Sequence, residues 1–87
     1  MRKIYKKNDI VIKLIFCNET FFYTITKNNY IIMNDSFWLN FFYIPNNNFE
    51  NLKYEINKKN DCKDYSEYIV DCLNSFLISV QKTYLGY

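Results

Sequence analysis

Two regimes of hydrophobic spacing divide the chain. Ile10–Cys17 is β-branched and aromatic, and Thr20–Lys27 sets Phe21, Tyr23 and Ile25 on one side against Phe22, Thr24 and Thr26 on the other. Period two of this kind predicts strands. Asn18-Glu19 supplies a turn between them. Asn28-Asn29 suits a two-residue hairpin turn, because asparagine tolerates positive φ better than other residues with a Cβ. Tyr30–Met33 is then the return strand, and Asn34-Asp35-Ser36 punctuates before a further run, Phe37–Ile44. That run alternates Phe37/Leu39/Phe41/Tyr43 with Trp38/Asn40/Phe42/Ile44 and reads as a strand, with a short capped helix as the alternative. Pro45–Asn48 ends it as a loop, and Leu52–Ile56 alternates apolar and charged residues as an edge strand does. From Asp61 the period changes. Ile69, Cys72, Leu73, Phe76, Leu77, Val80 and Tyr84 recur at three and four, which predicts an amphipathic helix over 64–84. Asp64 and Glu67 have the spacing of a capping box at its start.

These elements predict an α+β fold: an antiparallel sheet of four to five strands with one C-terminal helix packed on one face. The 87 residues make a single domain, since a break at the Asn46–Asn48 loop leaves fragments too small to fold alone. One helix needs only one apolar sheet face, yet residues 10–17, 20–27 and 37–44 carry large apolar side chains on both. Three outcomes are consistent with that surplus: the sheet curls toward a barrel, the N-terminal segment folds over it, or the second face meets another chain. A homodimer or a target-binding face is the reading the pattern favours.

Composition narrows the chemistry. Asn, Ile, Lys, Tyr and Phe fill 51 of the 87 positions, while Ala and His are absent and Gly, Pro and Arg occur once each. The abundant residues have A/T-rich codons, as expected of an AT-rich genome such as that of a low-GC bacterium, its phage or a DNA virus. Without histidine the chain lacks the usual general acid–base side chain near neutral pH and the commonest metal ligand. With Gly86 as its one glycine it cannot build a glycine-rich phosphate loop. The expectation is a protein that is not an enzyme and uses no cofactor or metal. Cys17, Cys62 and Cys72 form no CxxC pair, and an odd count suits reduced thiols rather than a secreted disulfide framework. A bridge between Cys62 and Cys72 does not suit two positions ten residues apart near one helix. Residues 1–17 resemble a signal peptide in charge and apolarity, but Asp9 and Lys13 interrupt the run and no small-residue cleavage site follows. No apolar run reaches the roughly 20 residues of a membrane span, so the expected compartment is the cytoplasm, with no membrane partner.

Charge is unevenly distributed. Arg2, Lys3, Lys6 and Lys7 lie in the first seven residues, and the remaining eighty hold seven basic and nine acidic residues. Interleaved with Tyr5, that basic segment offers phosphate contacts for a nucleic-acid-binding accessory protein that also uses sheet aromatics. On the predicted helix Asp64, Glu67 and Asp71 fall on one stripe, suited to docking on a basic surface, although acids there also favour the helix dipole. Eighteen of the 87 residues are aromatic, and aromatics carry disproportionate weight at interfaces. The expected function is a small protein-binding module, an inhibitor that occludes a surface of a larger host enzyme or toxin. Phage or mobile-element anti-defence antagonists and toxin-neutralising immunity proteins are of that kind. Its expected contact residues are Asp64, Glu67, Asp71, Trp38, Tyr65 and Tyr68.

Overall fold

The computed structural model of the chain describes residues 1–38, 47–59 and 64–85. Four strands, β1 (Arg2–Lys7), β2 (Ile10–Cys17), β3 (Thr20–Lys27) and β4 (Tyr30–Trp38), form one antiparallel sheet in sequence order. Two helices follow, α1 (Asn47–Lys58) and α2 (Ser66–Leu85). The α+β class and the C-terminal helix are as the spacing predicts.

Each strand joins the next through two residues, and every turn requires backbone in the left-handed region. Asn8, Asn18, Glu19, Asn28 and Asn29 all have φ between 50° and 67°. Positive φ at both residues of Asn18-Glu19 and Asn28-Asn29 gives the backbone twist that matches adjacent strands in a tight hairpin. Asparagine takes that conformation at low cost, whereas Glu19 holds it despite a Cβ that crowds the next carbonyl. Glu19→Gly is therefore expected to raise stability by about 1 kcal/mol, read as a higher urea midpoint; a lower midpoint would show that the glutamate side chain contributes more than the strain costs.

Ile10, Ile12, Leu14 and Phe16 of β2 and Phe21 and Ile25 of β3 point to one side of the sheet and are buried there. Leu52 and Ile56 of α1 and Ile69, Cys72, Leu73, Phe76 and Val80 of α2 close over them. Phe21 and Phe76 pack with ring centroids 5.9 Å apart and planes tilted by 57°, a favoured non-parallel aromatic geometry. Among the described residues no polar or charged side chain is buried. The polar chemistry of the described chain therefore lies at its surface.

Three expectations need correction. Leu52–Ile56 is not an edge strand but the middle of α1: Leu52 and Ile56 are buried while Tyr54 between them is 61% exposed, as an i, i+4 pair on a helix requires. Asn47 and Asn48 likewise open that helix instead of continuing a loop. Asn34-Asp35-Ser36 does not interrupt the sheet, because β4 runs unbroken through it. On an edge strand those polar side chains stay in solvent, and the Thr24 hydroxyl donates to Asn34 Oδ1 at 3.0 Å across the ladder. An irregularity opposite Ile25/Thr26 inserts Ile32 as an extra residue, one way in which edge strands are kept from pairing further.

Arg2–Lys7 neither folds over the sheet nor stands off as a charged tail; it is β1, an edge strand of the sheet. Of the run Phe37–Ile44, Phe37 and Trp38 end β4, and 39–44 lie outside the described residues, as does Cys62. Helix α2 begins at Ser66, after a 3-10 turn at Asp64 and Tyr65.

Candidate functional site

Two surfaces concentrate charge and exposed side chains, one on each side of the sheet. The first is a cleft of about 610 Å³ between the β1–β2 turn and the start of α2. Asp64, Tyr65, Glu67, Tyr68 and Asp71 line it together with Lys7 and Asn8, so five of the six expected contact residues come together. Trp38 ends β4 at the sheet edge; it is not among the residues lining this cleft.

The cleft's tyrosines are half-buried and engaged. Tyr65 donates its hydroxyl to Asp9 Oδ1 at 3.0 Å, and Lys27 Nζ lies 5.7 Å from the centre of its ring. Lys7 Nζ lies 5.1 Å from the Tyr68 ring. Both rings also pack against the core cluster. They join α2 to the hairpin turns, with a cation on each π face, within the usual reach of that attraction. Glu67 and Asp71 remain exposed on α2. Among the described residues no three acidic or thiol side chains gather closely enough to hold a metal ion.

Beneath the cleft lies the buried Cys72 thiol, a free cysteine like the exposed Cys17. Burial pushes the Cys72 thiol up from its ordinary 9.0, and the Asp71 carboxylate adds to the rise against opposing effects from Tyr68 and Lys7. Burial likewise raises the phenols of Tyr5, Tyr23 and Tyr68 above their ordinary 10.0. All four groups are neutral when protonated, so a raised pKa means that the folded chain holds its protons longer than the unfolded chain. Stability is then fully present below pH 9.0 and declines as pH rises through the folded-state values. Urea midpoints should fall in alkaline solution, and in Cys72→Ala the fall should begin closer to 10.0, where tyrosines ionise. A midpoint flat across that range would contradict the burial of these groups.

The second surface is the other face of the sheet. Strand register aligns the positions of this face in three rows that span all four strands, Arg2–Ile15–Phe22–Ser36, Ile4–Lys13–Thr24–Asn34 and Lys6–Val11–Thr26–Ile31, with Cys17–Thr20–Trp38 as a shorter row beyond Phe22. Ile4 is 48% exposed, Phe22 43% and Ile31 62%, and the two described helices pack on the opposite face. The alternation of β1 divides the basic N-terminal cluster. Arg2 and Lys6 stand on this open face, whereas Lys3 and Lys7 reach Tyr5 and Tyr68 on the helix side. Lys13 joins Arg2 and Lys6, flanking Ile4 on the neighbouring strand. The expected site residues did not include Lys13, Ile4, Ile15 or Phe22; their period-two positions in 2–7, 10–17 and 20–27 are the signal that gathers them. No strand position on this face carries a carboxylate.

Comparison with protein-family models, with curated proteins and with solved structures gives no match to this chain. Among the described residues no helix is long and apolar enough to cross a membrane.

Proposed function

We propose that the protein is a small non-catalytic binding module that docks on a larger protein through the open face of its sheet. The observation that carries this reading is the exposure of Ile4, Ile15 and Phe22, neighbours across β1, β2 and β3 on the open face. Contiguous exposed apolar side chains rimmed by charge are the usual mark of an interaction surface. A module of this kind acts by occlusion, as inhibitors and immunity proteins do. The acidic cleft at the start of α2 is the secondary surface, suited to guiding approach through a basic patch of the same partner away from the segment that meets the sheet.

The test is a quantitative capture experiment in lysate from cells that encode the chain. Tagged wild type is compared with Ile4→Ser/Phe22→Ser and with Glu67→Lys/Asp71→Lys, each checked for native circular dichroism. The expected result is one protein retained near equimolar ratio by wild type and lost from the sheet-face variant. The α2 variant should keep the complex but form it more slowly at low salt, because rim charges act chiefly on association rate. Retention undiminished by the sheet-face changes would overturn the reading.

A further inference from the structure

We infer that the occupant of the open sheet face is an acidic amphipathic segment of a partner protein, with aliphatic side chains flanked by Asp or Glu. This rests on the docking reading above and names the partner's chemistry. The twelve positions of the three rows hold Arg2, Lys6 and Lys13 and no carboxylate. The three cations are not scattered. Arg2 and Lys6 lie two residues either side of Ile4 on β1, and Lys13 is its direct cross-strand neighbour.

Strand spacing of about 4.8 Å and a rise of about 3.4 Å per residue put the backbone of each cation within roughly 7 Å of Ile4. A carboxylate set down above Ile4 therefore feels all three inside a single Debye length, about 8–10 Å in physiological salt. Along the rows the remaining positions are Ile15, Phe22 and Ser36 at one end, Val11, Thr26 and Ile31 at the other, and Thr24 and Asn34 between them. The surface thus asks for aliphatic contacts at its ends and negative charge over β1 and β2.

Other occupants fit less well. A second copy seated face to face brings six cations together with no anion among the strand positions, and like charges across an interface are costly. Single-stranded nucleic acid supplies negative charge but gains its stacking energy on aromatic faces. Here Phe22 is the one aromatic of the twelve positions around the cations, Trp38 lies a row further out at the end of β4, and the other apolar side chains of the twelve are Ile and Val. Branched aliphatic groups pack against aliphatic groups, which a protein segment offers and a base does not.

The probes are two synthetic helical peptides with the same leucine stripe, one flanked by glutamates and the other by lysines, together with an oligouridylate. Binding to the full chain is followed by fluorescence anisotropy at low and high salt, and self-association by sedimentation across a range of concentrations. The glutamate peptide should bind at least about tenfold more tightly than the lysine peptide, with the preference shrinking in salt. Lys6→Glu/Lys13→Glu should reverse the preference, which a loss of folding cannot do, and Lys82→Glu, at an exposed position in the last turn of α2, should leave it unchanged. Equal binding of the two peptides, no reversal, tighter binding of the oligouridylate, or a dimer that blocks both peptides would each overturn the inference. If the capture experiment still loses its partner on Ile4→Ser/Phe22→Ser while the peptides show no charge preference, the docking surface stands and only the partner's chemistry is wrong.

Discussion

Phe21→Ala is expected to lower the urea midpoint by roughly half, while Phe22→Ala leaves it nearly unchanged. The two residues are neighbours on β3 and differ in which face they occupy. Phe21 is 1% exposed and sits against Phe76 and Tyr23, with centroids 5.9 and 6.0 Å away. Truncating a buried phenylalanine costs about 3–5 kcal/mol through lost transfer energy and the cavity left behind. A chain of this size has a total stability of only about 5–10 kcal/mol, so roughly half of it is lost. Phe22 is open to solvent, and its removal should cost less than about 1 kcal/mol. Thermal and urea melts followed by circular dichroism distinguish them. A larger loss in Phe22→Ala than in Phe21→Ala would show that the register of β3 against β2 is shifted by one, since a one-residue slip exchanges the faces.

Tyr54→Pro carries the second large effect and decides between helix and strand for residues 52–56. In α1 residue 54 lies well inside the helix, where proline removes a backbone donor and crowds the preceding turn at a cost of about 3 kcal/mol. Tyr54→Ala is the companion variant. It forfeits the contact with Lys58, whose Nζ lies 5.0 Å from the ring, but gains helix propensity, so its net effect should stay within about 0.5 kcal/mol. A mild proline variant would return this segment to the strand that its alternation suggests.

That segment also shows where reading from sequence stops. In Leu52-Lys53-Tyr54-Glu55-Ile56 the apolar residues satisfy period two and, through Leu52 and Ile56, the i, i+4 spacing as well. A five-residue window cannot separate them, whereas extending back to Phe49 gives spacings of three and four. β1 was hidden for a different reason. Its alternation is cation against cation, Arg2/Ile4/Lys6 on one face and Lys3/Tyr5/Lys7 on the other, and charge rather than hydrophobicity fills an edge strand. The central strands, the two hairpin turns after β2 and β3 and the long helix were legible because they combine long windows with specific turn residues. The surplus of apolar side chains on the sheet was legible too. The cation triangle around Ile4 was not, since it depends on the register of β1 against β2.

The order of the strands bears on how the chain acquires its structure. Because β1 to β4 pair only with their sequence neighbours through two-residue turns, each hairpin closes a short loop and the ladder can zip up from any of them at little entropic cost. Helix α2 belongs to another kinetic class. Leu73 and Phe76 must travel back from the far end of the chain to reach Ile12, Leu14 and Phe21, and that long closure is the slow, committing event. On the ribosome, where synthesis runs from the N-terminus, the whole ladder emerges before the residues that cover it. For that interval the nascent sheet displays both faces, and it is the one bearing Ile10, Ile12, Leu14 and Phe16, later sealed by the helices, that a chaperone must shield.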